Sequence, residues 1–262
     1  MGRYIVGNGS DTWNLADAYD AVVDGDIIEF ERDFSFTLSG DSWVIDKNIT
    51  LCGYVETNEN GGRMLFSSFY GRIIIEENAD VTIENMCLYS IKEGSSLTVR
   101  NNGKLTLTGS IIGSTVADNN YVLIWNNGGQ LDIDNITLTL EGESKNISVG
   151  NNGVLNIRNS NNLYKVNCEN SEVNIKNSRI INPKGNGVNS LESKVEIVDS
   201  YIEGSPADVE KRYPVLWSGN SKVVIKNSRI IQPFYTAAIC LNDNSSLELE
   251  NSLVSNMEVY SS

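Results

Sequence analysis

Asp208, Glu210, Lys211 and Arg212 fall within the stretch EGSPADVEKRYP, 203–214. Two carboxylates beside two cations can do general acid–base work if the fold brings an acid and a base to one bond. Tyr213 adjoins them, and Lys165 and Lys184 precede apolar runs upstream, so a cleft holding acid and base is one reading. A solvated loop whose charges pair among themselves has the same composition, and both readings stay open. A second set is Arg179, Tyr201 and Arg229. A ring between two guanidinium groups is attracted to both by cation–π interaction. Such a patch suits a sugar ring or an acidic group, with plain surface stacking as the alternative.

Other chemistries are excluded or curtailed. The chain of 262 residues contains no histidine, which removes His-dependent triads, His metal sites and His proton relays. Its four cysteines, Cys52, Cys87, Cys168 and Cys240, show no CxxC spacing. Each lies in an apolar run, where a free thiol packs as a small hydrophobe. The formal charge of −14 argues against broad nucleic-acid binding and against docking on anionic membranes. No run is long and apolar enough to span a bilayer. The opening GRYIVGNGS lacks a signal peptide's apolar core, so the protein either avoids that export route or has been cleaved. No metal or other cofactor is expected from these patterns.

The elements that must position these residues are legible from a repeat. The phrases IKNSRIINP (175–183) and IKNSRIIQP (225–233) differ at one residue. Written as apolar-x-apolar-x-Asn, the motif recurs eight times, from Val81–Ile83–Asn85 to Leu247–Leu249–Asn251. The mean step is about 24 residues, which is the signature of a solenoid. Alternation with period two within each phrase predicts a strand with one buried face. The fifth position is always Asn, Asp or Gly, residues that tolerate a left-handed bend. Three residues later comes another apolar position, broken only at Asn162, and six to eight residues earlier lies a third apolar pair. Three short strands per coil predict an all-β parallel β-helix, with 1–262 as a single domain. The 34 Asn fit ladders of like residues along the stack. Trp125 and Trp217 are placed inward by the same register.

The ends need covers. Ser10 to Asp26 reads as an amphipathic capping helix, N-capped by Ser10 or Asp11, with coils filling 27–262. Between Gly53 and Arg72 one further strand is expected. The C-terminal end lacks a matching cap, so a second copy, a partner or an adjacent domain is expected there.

LADAYDAVVDGDIIEF, DKNITLCG and ADVTIENMCLY resemble the opening coils of the right-handed parallel β-helix superfamily, the pectate-lyase-like fold. The resemblance covers nearly the whole chain and implies the right-handed twist. It also implies an extracellular or cell-surface setting and a polysaccharide or host-surface ligand. The superfamily's lyases hold calcium on Asp clusters beside a basic residue, so calcium becomes a cofactor if Lys211 or Arg212 serves as a lyase base. The motifs of its pectate lyases, polygalacturonases and pectin methylesterases are not found here, and no catalytic residue carries over. The expectation is therefore a non-catalytic, adhesin-like surface module that binds glycan. A polysaccharide lyase or hydrolase centred on 203–214 is the first alternative, and a trimeric phage tail-fibre-like protein the second.

Overall fold

Short amphipathic strands need a buried face and backbone partners at once. The computed structural model describes residues 1–38, 42–91, 97–114, 122–140, 146–182, 185–204, 213–233 and 237–256. It winds the chain into a parallel β-solenoid of about nine turns. One wall is an 11-stranded sheet made of the repeated phrases, preceded by strands Arg3–Val6, Ile27–Phe30 and Thr50–Cys52. The second is a 9-stranded sheet made of the runs before each phrase. The third side follows the bend and consists of a 5-stranded and a 4-stranded sheet.

The register is the one the motif predicts. Ile83, Leu107, Ile133, Ile157, Ile175, Ile197, Ile225 and Leu249 pair in that order, coil upon coil. The first seven are buried, and so are the partners two residues earlier, from Val81 to Val223. Every fifth position, Asn85 to Asn251 with Gly109 and Asp199 among them, has φ between 46° and 59°. Asn177 Nδ2 donates to Asn159 Oδ1 (2.8 Å), and Asn159 Nδ2 donates in turn to Asp134 Oδ1 (2.8 Å), forming the expected polar ladder. Asn227 is exposed with φ 50°. Asn227→Ala should therefore cost about 1–2 kcal/mol, the penalty for a Cβ in the left-handed region. Asn227→Gly should stay within about 0.5 kcal/mol, since glycine adopts this φ freely. Equal urea midpoints for the two variants would refute a conformational origin for the Asn.

A second ladder follows one residue later. The Ser178 N–H donates to Ser200 Oγ (3.2 Å), the Ser200 N–H to Ser228 Oγ (3.1 Å) and the Ser228 N–H to Ser252 Oγ (3.1 Å). The Ser200 and Ser228 hydroxyls donate to the carbonyls of Val198 and Lys226, so buried donors and acceptors at this corner are matched. Sequence reading stopped at the Asn and missed the serine beside it.

Three expectations need correction. The helix spans only Leu15–Ala21, and its N-cap is Asn14, whose side chain accepts from the Asp17 N–H. Neither Ser10 nor Asp11 caps it, because the strand Arg3–Val6 already joins the long sheet and the chain turns back through Trp13 before coiling. Leu15, Ala18 and Val22 are buried and cover the first coil, whereas Ala16, Ala21 and Trp13 are exposed. Between Gly53 and Arg72 lie an antiparallel hairpin, Val55–Thr57 with Arg63–Leu65, and the strand Ser68–Tyr70. The break at Asn162 is real: its φ is 64°, and Leu163 takes the inward place at 1% exposure. That coil touches the third side through a single bridge, Leu163 to Ile180, which is where the third side divides. At the last described coil the inward Leu249 is 49% exposed.

Candidate functional site

Asp208, Glu210, Lys211, Arg212 and Lys184 lie outside the described residues. Tyr213 is exposed, and its carbonyl accepts a hydrogen bond from Gln232 Nε2 at 2.7 Å. Arg179, Tyr201 and Arg229 do come together. They pair on consecutive strands of the 4-stranded sheet, with the Arg179 guanidinium 5.3 Å from the Tyr201 ring centroid. Tyr201 Oη donates to Glu203 Oε2 at 2.7 Å. Partial burial and then this carboxylate raise the phenol's pKa, against the lowering effect of the two arginines.

The outer face of the 9-stranded sheet carries a larger feature. Here Trp125 and Trp217 point outward, not into the core. The inward places belong instead to Ile124 and Asn126 on one strand, and to Leu216 and Ser218 on the other. Buried Asn is tolerated because its amide holds the adjoining turn. Asn126 Nδ2 donates to the carbonyls of Gly129 (2.8 Å) and Val154 (2.9 Å), and Asn101 Nδ2 donates to Asn126 Oδ1 (2.7 Å). Ser190 Oγ donates to Ser218 Oγ at 2.8 Å in the same manner. Counting six residues back from each phrase puts the indoles inward, but the observed register differs by one residue. A shift of one residue exchanges the two faces of a strand.

One outward column thus runs Arg100, Trp125, Ser148, Asn167, Asn189, Trp217 and Cys240. Arg100 sits 5.2 Å from the Trp125 ring centroid. A Cβ on Gly219 would lie 2.8 Å from Trp217 Cη2, so the indole lies along its strand above that glycine. Between the two indoles the floor is small and polar. Four strand steps separate them, about 19 Å.

Two polar groups on this wall have no partner among the described residues. Asn189 Nδ2 donates to Asn167 Oδ1 at 3.2 Å, but the buried Asn189 Oδ1 has no donor. Lys165, two residues before Asn167, is half-buried and has no carboxylate partner among the described residues. Burial alone pushes its ammonium pKa down. A half-buried cation with no carboxylate partner among the described residues is a group that an anionic ligand would satisfy.

The cysteines are all free. Burial raises the pKa of the thiols of Cys52 and Cys87, and that of Cys168 to about 12, which keeps them protonated and unreactive at neutral pH. Among the described residues no group of three Cys, Asp or Glu is placed to hold a metal ion. Among them, too, no helix is long and apolar enough to cross a membrane.

Fold and surface together define a parallel β-helix with an aromatic-flanked polar trough on one wall. No protein-family model matches the chain, and no curated protein matches it. Among solved structures it is similar to a GH136 lacto-N-biosidase from Eubacterium ramulus. The identity is 8% over 95% of this chain and 68% of that one, with a TM-score of 0.42. It is also similar to a rhamnogalacturonan lyase at 12% identity, over 93% of this chain and 73% of that one, with a TM-score of 0.29. Neither likeness assigns a residue or an activity to this chain.

Proposed function

We propose that the protein is a non-catalytic polysaccharide-binding module displayed outside the cell or on its surface. Its ligand lies along the solenoid axis in the trough between Trp125 and Trp217. The observation that carries this reading is the stretch of one outward column in which two indoles bracket a small polar floor. Sugar rings present an apolar face to an indole and hydroxyls to amides, and the trough offers both kinds of partner. Lys165 would donate to a ring or carboxylate oxygen, and binding an anion there would raise its lowered pKa.

The test is binding of the protein to a panel of neutral and acidic polysaccharides, with a reducing-end and unsaturated-product assay on the same samples. At least one polysaccharide should bind, and none should be cleaved. Trp125→Ala and Trp217→Ala should each weaken that binding about tenfold, a loss near 1.4 kcal/mol. Lys165→Met should weaken it as well, while stabilising the free fold at neutral pH. The sign follows from the lowered pKa: folding penalises the charged form, and the penalty disappears only as pH rises past the folded pKa. Unchanged binding by the double Trp variant would overturn the site. Polysaccharide cleavage would overturn the non-catalytic reading.

A further inference from the structure

The two copies of IKNSRII have a geometric consequence of their own, on a different edge of the solenoid. Each copy puts a Lys just before the left-handed Asn and an Arg two residues after it: Lys176 and Arg179, then Lys226 and Arg229. The Lys closes a strand of the 11-stranded sheet and the Arg opens a strand of the 4-stranded sheet, so each pair straddles one corner. Lys176, Arg179 and Arg229 are exposed and form no ion pair among the described residues. Lys226 lies 3.9 Å from Glu250. In a chain of net charge −14 this corner is a local reversal of sign.

The coil between the copies breaks the pattern at every corresponding place. Val198 stands where the Lys would be, Asp199 holds the bend, and Tyr201 stands where the Arg would be. Glu203 is hydrogen-bonded to that Tyr. The corner therefore reads cationic, then aromatic with acid, then cationic. The two cationic rows are two strand steps apart, about 10 Å.

We propose that this corner is a second binding site, specific for a polysaccharide that carries one carboxylate on every second sugar. An extended glycan advances by about one strand spacing per ring. Carboxylates on alternate rings would meet the Lys–Arg pairs, where guanidinium groups would donate to them in bidentate fashion. The uncharged ring between them would pack beside Tyr201, whose ring already carries the Arg179 guanidinium over one face. A carboxylate on that middle ring would face Asp199 and Glu203 and be repelled. The site stands on charge order and spacing at the corner and does not depend on the trough. Nucleic acid is disfavoured because its charge recurs without gaps and the remaining surface is acidic.

The probe is hyaluronate oligosaccharide, which alternates carboxylated and neutral sugars. The comparisons are the same oligosaccharide with its carboxylates reduced to alcohols, polygalacturonate of equal length, and a single-stranded DNA oligonucleotide. Calorimetry at low salt should show hyaluronate binding at least tenfold more tightly than each of the three. Arg179→Gln with Arg229→Gln should weaken hyaluronate at least tenfold, and Arg179→Lys with Arg229→Lys should restore part of the loss. The Trp125→Ala and Trp217→Ala variants should bind hyaluronate at this corner as the wild type does, so failure of the trough and failure of the corner are separable. Absence of hyaluronate binding, equal or tighter binding of polygalacturonate or DNA, or an Arg-to-Gln variant that binds unchanged would each overturn the proposal.

Discussion

Ile175→Ala is expected to lower the unfolding free energy by about 2–5 kcal/mol, the range for truncating a fully buried aliphatic side chain. Ile175 is 1% exposed and lies between Ile157 and Ile197 in the inward column. The cost depends on how far the surroundings can collapse into the space left. Collapse is restricted here, because the neighbouring coils are held at the strand spacing by parallel backbone hydrogen bonds along the whole sheet. The upper half of the range is therefore expected. The adjacent Asn174 points outward and donates to Asn156 Oδ1 at 2.9 Å. Asn174→Ala removes only a half-exposed hydrogen bond and should cost about 1 kcal/mol or less. Urea unfolding of the two variants, one residue apart, tests inward against outward directly. Similar losses at both positions would contradict the stacking of inward aliphatic residues.

What the sequence made legible follows the same division. The period, the strand alternation and the bend at Asn227 or Asp199 could be read because each has a one-residue cause, such as burial or a left-handed φ. The faces of Trp125 and Trp217 could not, because they depend on Asn101, Asn126, Ser190 and Ser218 being stable inside. That stability arises from bonds to turns and neighbouring coils up to 29 residues away in sequence. Such bonds leave no local pattern. The Arg179–Tyr201–Arg229 column was legible because the bend fixes its register, so counting two residues past each Asn finds it. The trough was missed for the opposite reason: its residues belong to the strand whose register the buried amides decide. A usable signal did exist. Asn101 and Asn126 each precede another Asn and a Gly, a repeat that marks the inward amide and the turn it holds.

That turn is also where the second large effect is expected. Gly129→Ala should destabilise the fold by about 3 kcal/mol, combining overpacking of about 1–3 kcal/mol with disturbed buried hydrogen bonds. A Cβ at residue 129 would lie 2.2 Å from the Gly103 carbonyl oxygen and 2.8 Å from Asn101 Nδ2. The Gly103 carbonyl accepts the Gln130 N–H at 2.9 Å, and Asn101 Nδ2 reaches both Asn126 Oδ1 and the Gln130 carbonyl. No side-chain rotation relieves the contact with backbone oxygen, so the coils must separate and these bonds lengthen together. Gly128, one residue earlier, is a different case. Its φ is 83°, and the nearest atom to an added Cβ is the Asn151 carbonyl oxygen at 3.2 Å. Its constraint is mainly conformational, and Asn adopts that region with less penalty than other residues. Gly128→Asn should therefore cost about 1 kcal/mol or less, whereas Gly129→Asn should be at least as damaging as Gly129→Ala. Thermal melts of the three variants distinguish the two constraints. If Gly128→Asn proved the most harmful, the close approach of successive coils at residues 103 and 129 would not be what fixes glycine there.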